Sequence, residues 1–432
     1  MYLLSTTSNK EFAEKVAMHL GEELIQCNVG RFYNGEVRIK NIERSMRNQD
    51  VYVIYSAGDN INDEFMEAKL LIRACKQASA KSITLIVPFL PYARQDKKLN
   101  AREVISIKLI VDEIEGAGAT KILTVDVHNS SIQGMSSCPF DNLTSVPLFA
   151  EYIKENILLP HMTEYGDNRK NDFVIISPDA GGTERAKNLA NLLGLRMATM
   201  YKSRSDASVI DSIELLGEVK NKIAIIIDDM ADTCGTLKKA SEELALHIGH
   251  NAIIYAVITH APFSHNPTHD LPNQQTIQNS ALKNISESKL TKLFVTDSVN
   301  LYEKVSQCDK ISRISITSLI ASAILRYHEE RSLSEMLKMT SGEVNTELEK
   351  FRMFPKLSNA EQMREFIRMN NILKAQVAAL DAQVSKLTRE TDSSGSRSRL
   401  SIANSDDDVV TSDSSQSTYG DNVSTDIFGA TC

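Results

Sequence analysis

Two adjacent aspartates followed by a loop of small and hydroxyl residues form the clearest chemical feature of the sequence. Asp228 and Asp229 close the apolar run AIIIDD, and the loop leads into LKKASEELALHIG, which has a helical pattern. Carboxylates accept hydrogen bonds from vicinal hydroxyls, helped by a divalent cation. A small-residue loop before a helix binds phosphate through backbone N–H groups and hydroxyls. The pattern therefore indicates a sugar phosphate, with its diol at the acids and its phosphate at the loop.

This phosphate loop consists of Asp232, Thr233, Cys234, Gly235 and Thr236. It lacks the lysine of the pattern GxxxxGK[ST] and instead offers backbone N–H groups and hydroxyls. An acid pair at a strand end is also a common solvated cap, and on its own it leaves both interpretations open. The full order of strand, two aspartates, hydroxyl-rich loop and helix is more specific and favours the sugar phosphate.

A second charged segment suits a polyphosphate. Arg94, Lys97 and Lys98 lie in VPFLPYARQDKK. They follow an apolar run and two prolines, which stiffen the backbone. A solvated basic turn is the ordinary alternative for a generic basic run. A rigid cationic loop of this kind is fit to bind a polyphosphate. We call residues 87–98 the nucleotide-side loop, after the ATP-binding role that a family resemblance given below implies for it.

The segment RFYNGEVRIK offers groups that could recognise a base. Phe32 could stack on a purine while Asn34 and Glu36 bind its edge. The Asn-Gly pair is also a strong signal for a hairpin turn, and the two interpretations are compatible.

Three further sites carry groups used in phosphate chemistry. His128 in TVDVHNSSIQG and Asp179 in SPDAGG each follow a predicted strand, where ligands gather in α/β sheets. A lone histidine is more often a hydrogen-bonded structural residue than a ligand. Lys202 and Arg204 lie in the polar stretch MYKSRSDASV, for which an exposed loop is the default.

Together these segments resemble the ribose-phosphate pyrophosphokinase family over about residues 1–328. The family carries the loop DDMADTCGT and the ATP-binding segment PYARQDKK, both found here. The resemblance implies transfer of pyrophosphate from ATP to the 1-hydroxyl of ribose 5-phosphate, giving 5-phosphoribosyl 1-pyrophosphate and AMP for nucleotide biosynthesis. It implies Mg²⁺ as cofactor and a dimer-based homo-oligomer, with a hexamer as one candidate form.

The resemblance also implies roles for individual residues. The ATP-binding set is Phe32, Asn34, Glu36, Arg94, Gln95 and Arg102, of which the first three lie at a hairpin tip that reaches a neighbouring subunit's site. The ribose 5-phosphate set is Asp228, Asp229, Asp232, Thr233, Cys234, Gly235 and Thr236. The metal-linked positions are His128 and Asp179, and the catalytic pair on a mobile loop is Lys202 and Arg204.

The chain departs from the family pattern beside these motifs. Asn129 follows the histidine where the family usually has alanine, and Met135 and Ser136 replace a pair of aromatic residues. Leu99 and Asn100 replace charged residues after PYARQDKK. The changes at 129 and 135–136 lie near surfaces that the family uses for subunit contact and regulation. We therefore expect them to affect allostery and oligomer geometry more than the chemistry.

Short β-branched runs alternate with longer helical patterns up to about residue 328. The predicted strands are residues 51–55, 83–87, 122–125, 174–177, 223–227, 252–259 and 292–296. The predicted helices include residues 9–20, 63–78, 104–116, 183–193 and 236–247. Such alternation is typical of mainly parallel sheets with helices on both faces. We expect an α/β fold, which the resemblance specifies as two tandem phosphoribosyltransferase-like (type I) domains.

Four regions are expected along the chain. Residues 1–145 would form the ATP-side domain, and residues 146–328 the ribose 5-phosphate domain, whose last segment could pack back on the first. Residues 329–390 are helical, with a heptad seam between Met363 and Leu387 that fits either a coiled coil or an amphipathic helix packed on its own domain. Residues 391–432 are rich in serine and aspartate and should be disordered.

Composition excludes several classes of partner. The 432-residue chain carries a net charge of -8, which argues against nucleic acid as a partner. It has no apolar stretch near the length needed to span a bilayer, and its N-terminus lacks a signal-peptide pattern. Its 6 cysteines are scattered without a CxxC pair, which suits a reducing compartment. The expected location is cytoplasmic.

Two other functions are compatible with part of this pattern. A phosphoribosyltransferase shares the acid pair and phosphate loop but needs no ATP-binding segment. A non-catalytic regulatory subunit would keep the fold, although it would be expected to lose the Lys202 and Arg204 pair or His128, and all three are present.

Overall fold

The computed structural model describes residues 1–203, 212–264, 280–300 and 305–353, which belong to a unit spanning Met1–Pro355. The predicted heptad seam and the serine- and aspartate-rich tail lie outside the described residues. The strands are β1 (Tyr2–Ser5), β2 (Cys27–Arg31), β3 (Val37–Ile42), β4 (Asp50–Ile54), β5 (Ser82–Ile86), β6 (Lys121–Val125), β7 (Phe140–Leu143), β8 (Phe173–Ser177), β9 (Arg196–Ser203), β10 (Ser212–Leu216), β11 (Ile223–Met230), β12 (Ile254–His260), β13 (Lys292–Thr296) and β14 (Ile311–Ile314).

The helices follow the same chain order. They are α1 (Lys10–Leu20), α2 (Ile61–Gln77), α3 (Ser106–Ala117), α4 (Val146–Ile153), α5 (Leu159–Tyr165), α6 (Thr183–Leu193), α7 (Gly235–Ile248), α8 (Ser280–Glu287), α9 (Thr317–His328), α10 (Leu333–Met336) and α11 (Ser341–Met353). A π-helical stretch, Lys154–Leu158, joins α4 to α5, and short 3-10 helices cover Ser130–Met135 and Asp167–Asp172.

The first sheet has the order β1-β4-β5-β6-β7, and all its strands are parallel. Successive residues of a strand point to opposite faces, so each face can carry its own core. Leu3 and Tyr52 pack with α1 and α9, whereas Leu4 and Val51 pack with α2 and α3 on the other face. The antiparallel hairpin β2–β3 stands outside this sheet as a separate two-stranded unit.

The second sheet has the order β10-β9-β8-β11-β12-β13-β14. Its strands are parallel except for β10, which pairs antiparallel with β9. Ile225 and Ile227 pack with α4 and α6 on one face, and Ile226 packs with α7 and α8 on the other. Both faces of the central strand β11 are therefore buried, which explains its run of isoleucines.

The α/β fold with mainly parallel sheets is confirmed. Each of the predicted strands and helices listed above is present, with bounds that differ by a few residues. The strand that carries the acid pair is longer than predicted, because β11 continues through both aspartates to Met230. The strands β1, β7 and β14 were not predicted, since four residues are too few to show a period.

The carboxyl ends of the two sheets face each other and are joined by hydrogen bonds. After β6, the Asp126 carboxylate accepts hydrogen bonds from the Thr259 hydroxyl of β12 at 2.7 Å and from the Ser145 N–H at 3.1 Å. The buried His260 ring places Nε2 2.8 Å from the Val125 carbonyl oxygen, and burial lowers its pKa. A neutral imidazole with Nε2–H as the donor satisfies this contact. Loops at both sets of strand ends are thereby brought to one place.

The C-terminal helices extend the core of the first sheet. Helix α9 packs on α1, and Val344 and Leu348 of α11 are buried in the same cluster. The guanidinium of Arg326 in α9 is only 3% exposed, and its Nη2 lies 2.9 Å from Glu347 Oε1 in α11. The helical start of the predicted 329–390 extension is thus part of the packed unit. Among the described residues, no helix combines the length and apolar character needed to cross a bilayer.

We expect Glu347→Ala to lower the free energy of unfolding by about 3 kcal/mol, because it removes the nearer carboxylate of the buried Arg326 and leaves only the exposed Glu335 at 3.7 Å. Urea denaturation followed by circular dichroism measures the change. Glu349→Ala is the matched control, since Glu349 is exposed on the same helix. Equal midpoints for the Glu347 and Glu349 variants would show that the ion pair does not hold α11 in place.

Candidate functional site

The acid pair lies where β11 leaves the second sheet. Asp228 pairs with Ile258 of β12 in the sheet register, and the Ala231 N–H donates to the His260 carbonyl at 2.8 Å. The chain then turns through Cys234, whose φ of 59° is left-handed, and α7 begins at Gly235. The first N–H groups of α7 lack intrahelical partners, and they follow the end of β11 after a short turn. The phosphate loop therefore has the backbone arrangement that binds anions at helix N-termini.

Helix α8 supports the phosphate loop from behind. Asn284 Nδ2 donates to the Thr233 carbonyl at 2.9 Å, and Lys238 of α7 forms an ion pair with Glu287 of α8 at 2.5 Å. The Cys234 thiol is buried, and burial raises its pKa, so it serves the loop as a small neutral residue. The loop conformation is thus held by contacts that do not use the N–H groups at the start of α7.

Two cationic or polar side chains surround the acid pair. Arg185 Nη1 lies 3.5 Å from Asp228 Oδ1 and 3.5 Å from Asp229 Oδ1. His128 Nδ1 lies 2.8 Å from Asp229 Oδ2, and this hydrogen bond raises the pKa of His128. Asp228 Oδ1 also accepts the Asp229 N–H at 3.0 Å. Both carboxylates therefore have defined partners in the protein, which a solvated strand cap would lack.

The pKa values of the two carboxyl groups are shifted in opposite directions. Burial, followed by the charge of Asp229, raises the pKa of Asp228 well above its ordinary value. Burial opposes ionisation of Asp229 as well, but the hydrogen bond from His128 and the charge of Arg185 outweigh it, so the pKa of Asp229 is lowered. Groups that donate to both carboxylates, such as two sugar hydroxyls or a cation, would favour the doubly ionised pair.

The proposed metal-linked residues lie beside this centre. His128 contacts Asp229, and the charge of Asp179 contributes to the raised pKa of Asp228. Asp179 Oδ1 accepts the Gly182 N–H at 3.1 Å. Within the described part of the chain, no three His, Cys, Asp or Glu side chains are grouped to hold a metal by themselves. Mg²⁺ commonly uses one or two protein ligands together with substrate phosphates and water, so these donors fit a cation shared with a nucleotide.

The nucleotide-side loop reaches across to the phosphate loop. Arg94 forms an ion pair with Asp232, 138 residues away in sequence. Gln95 accepts a hydrogen bond from Ser106 at the start of α3, and Arg102 is exposed on the turn before that helix. The structure thus brings Arg94 to the phosphate loop, whereas Gln95 contacts the start of α3 and Arg102 lies on an exposed turn.

The aromatic hairpin residues lie elsewhere. Phe32, Asn34 and Glu36 are exposed at the tip between β2 and β3, and the Phe32 ring is 48% exposed with Arg38 over it at 5.0 Å. Asn34 Oδ1 accepts the Glu36 N–H at 3.3 Å. An exposed tip is the arrangement that a contact with a neighbouring subunit requires.

The predicted catalytic pair is described in part. Lys202 lies on β9, opposite Ile213 of β10 in the antiparallel pair at one edge of the second sheet. Arg204 lies outside the described residues.

Sequence reasoning missed two residues of the site. Arg185 lies in the first turn of α6. Its position shortly after Asp179 of SPDAGG was the only hint in the sequence that it could reach the site. Asn284 supports Thr233 from 51 residues away and left no signal in the sequence. Asp126, two residues before His128 in sequence, is a buried link between the two sheets.

Two family models match the chain. Residues 1–118 match the N-terminal domain of ribose phosphate pyrophosphokinase, and residues 205–338 match the phosphoribosyl synthetase-associated domain. Ribose-phosphate pyrophosphokinase 2 of Schizosaccharomyces pombe is 39% identical over 337 residues, which are 78% of this chain and 97% of the relative. A ribose-phosphate pyrophosphokinase of Bacillus cereus is 38% identical over 332 residues, which are 77% of this chain and 95% of the relative.

A solved structure agrees with these relatives. Phosphoribosylpyrophosphate synthetase from Mycobacterium smegmatis superposes with a TM-score of 0.66 at 31% identity, covering 76% of this chain and 99% of that one. The relatives are thus matched over nearly their whole length by the part of the chain that contains the acid pair, the phosphate loop and the nucleotide-side loop. The chain belongs to the ribose-phosphate pyrophosphokinase family.

Proposed function

We propose that the chain is a ribose-phosphate diphosphokinase, which converts ATP and ribose 5-phosphate into AMP and 5-phosphoribosyl 1-pyrophosphate. One observation carries the proposal. The ion pair between Arg94 and Asp232 joins the loop that we assign to the polyphosphate to the loop that we assign to the sugar phosphate, and this contact supports the proposal. A pyrophosphate transfer between two substrates needs this adjacency, whereas a phosphoribosyltransferase needs no ATP-binding loop.

The sugar is held by its two ends. Asp228 and Asp229 accept hydrogen bonds from the ribose diol, and the N–H groups at the start of α7, with Thr233 and Thr236, hold the 5-phosphate. The anomeric hydroxyl then faces the nucleotide-side loop. The oxygen of this hydroxyl forms a bond to the β-phosphorus of ATP. The bond between the β-phosphorus and the oxygen that it shares with the α-phosphorus breaks, so AMP leaves with that oxygen. The hydroxyl proton is released to solvent.

The phosphates are held by cationic residues from separate elements. Arg94, with Gln95 and Arg102, binds the nucleotide, and Lys202 and Arg204 neutralise the charge that develops in the transition state. Catalysis of such a transfer consists mainly of positioning and electrostatic stabilisation. His128 and Asp179 would hold Mg²⁺, which would supply charge neutralisation at the phosphate oxygens.

The assembly and location follow from the same proposal. Phe32, Asn34 and Glu36 contact the adenine in a neighbouring subunit, which requires a homo-oligomer built from dimers, with a hexamer as one form. The exposed hairpin tip supports this arrangement. We place the ATP-side domain at residues 1–145 and the ribose 5-phosphate domain at residues 146–328, a division that the two separate sheets support. A cytoplasmic location completes the proposal.

The decisive experiment mixes the purified full-length chain with Mg²⁺, ATP and ribose 5-phosphate and follows phosphorus NMR. We expect AMP and 5-phosphoribosyl 1-pyrophosphate to appear together, and only when the sugar is present. Absence of both products, with an active relative as positive control, would favour a regulatory subunit. Consumption of 5-phosphoribosyl 1-pyrophosphate with a nucleobase, without ATP, would identify a phosphoribosyltransferase instead.

A further inference from the structure

One side-chain amide bridges two loops of the site. Asn129 directly follows His128 and caps the short 3-10 helix Ser130–Met135. Its Oδ1 accepts the Ser131 N–H at 3.0 Å and the Ser131 hydroxyl at 2.9 Å. Its Nδ2 donates to Asp96 Oδ2 at 2.6 Å. The acceptor end of the amide thus orders its own loop, while the donor end holds the nucleotide-side loop.

The nucleotide-side loop is buried at residues 87–91 and at Ala93, whereas its last five residues, 94–98, are mostly exposed. Arg94, Gln95, Lys97 and Lys98 are exposed, whereas Asp96 is partly buried. Arg94 makes its ion pair with Asp232, and Gln95 is held by Ser106. An exposed segment loses entropy when a ligand orders it, and each side chain that is already fixed reduces that cost. The bond to Asn129 therefore helps to order residues 94–98 before a nucleotide binds.

The bridge also sets a distance between two groups that act on one ligand. Asp96 is two residues from Arg94, and Asn129 is adjacent to His128 in sequence. A single polyphosphate chain must meet both groups. The hydrogen bond between Asp96 and Asn129 holds the Arg94 segment next to the His128 segment. The side chains of Arg94 and His128 take no part in this bond.

We propose that Asn129 is a positioning residue for the nucleotide: its amide locks the nucleotide-side loop to the His128 segment before ATP binds. The inference rests on the proposed function and adds a residue to it. An alanine at this position would lose both contacts, while a serine would keep an acceptor for Ser131 but would be too short to reach Asp96.

The test is a series of variants that separates the cap from the bridge. Asn129→Asp keeps the acceptor for Ser131 and sets two carboxylates against each other. In the double variant N129D with D96N, the amide at position 96 can donate to the carboxylate at position 129, so the hydrogen bond is restored in the opposite direction. Asn129→Ser keeps the cap alone, Asn129→Ala removes both contacts, and Asp96→Asn completes the double-mutant cycle. The measurements are the KM values for Mg·ATP and ribose 5-phosphate, kcat, and calorimetric binding of a non-hydrolysable ATP analogue.

We expect Asn129→Asp to raise the KM for ATP and weaken analogue binding about tenfold, with the KM for ribose 5-phosphate changed less than about twofold. Asn129→Ser should behave like Asn129→Ala, and the double variant should regain most of the loss. Nucleotide binding within twofold of wild type in Asn129→Asp, equal losses for both substrates, or no recovery in the double variant would overturn the inference. An inactive wild-type chain would contradict the proposed function instead, and the calorimetric series would still decide the role of Asn129.

Discussion

Replacing both Asp228 and Asp229 with asparagine is expected to weaken ribose 5-phosphate binding at least about 100-fold, because two charge-assisted hydrogen bonds to the diol are lost. Asparagine keeps the shape of each side chain, so the loss reports the charge. Binding of a non-hydrolysable ATP analogue without Mg²⁺ should change less than about threefold, since Arg94, Gln95 and Arg102 lie on other loops and His128, which contacts Asp229, is assigned only to the metal. Calorimetry with each ligand alone measures both quantities.

The single variants should differ in a way that the geometry predicts. Asp229 is contacted by His128 at 2.8 Å and by Arg185 at 3.5 Å, so Asp229→Asn also disturbs these two neighbours. Asp228→Asn removes the group whose pKa is already raised by burial and by Asp229, and it should be the milder change. Asp309→Asn is the matched control, because Asp309 is an exposed aspartate just before β14 of the same sheet. Unchanged sugar binding in the double variant would show that the acid pair does not bind the diol and would exclude it from the proposed sugar site.

In Lys202→Ala, we expect kcat to fall about a thousandfold while both KM values stay within about threefold. A cation that meets charge only as it develops in the transition state affects turnover more than substrate binding. Lys202 lies on β9 at the antiparallel edge of the second sheet, next to the segment that carries Arg204 in sequence. Steady-state kinetics at saturating Mg·ATP and ribose 5-phosphate measures the effect.

Two controls separate this effect from a loss of net charge. Lys220→Ala removes one exposed positive charge from the same half of the chain and should leave kcat unchanged. Lys202→Arg keeps the charge but changes its geometry, and partial activity is expected. Full activity of Lys202→Ala at saturating substrates would exclude Lys202 from the mechanism, although the sugar and nucleotide sites would stand.

Local patterns were sufficient for the fold class and for the centre of the candidate site. The isoleucine run before Asp228 predicts a buried strand, and the small residues from Asp232 predict a tight loop before a helix. Both signals depend on residues adjacent in sequence, where hydrophobic period and turn chemistry operate. The roles given to the hairpin residues, to Lys202 and to Arg204 came from family resemblance and stay predictions.

The helical segment after residue 329 shows what a local pattern leaves open. The sequence predicts a helical extension over residues 329–390, where strand–helix alternation ends. In the structure, Val344 and Leu348 of α11 are buried against the helices of the first sheet, and Glu347 pairs with Arg326. An amphipathic pattern states that a face will be buried, and it does not name the surface that covers it.

By itself, the sequence determined the α/β fold and the sugar-phosphate motif, since each is encoded within one short segment. Only the tertiary structure decided that Arg94 meets Asp232 and that His128 holds Asp229, contacts that join residues 138 and 101 positions apart. The same holds for the bond between Asn129 and Asp96. The physical reason is that such pairs form where strand order brings the carboxyl ends of two sheets together, and strand order has no signature in any single segment.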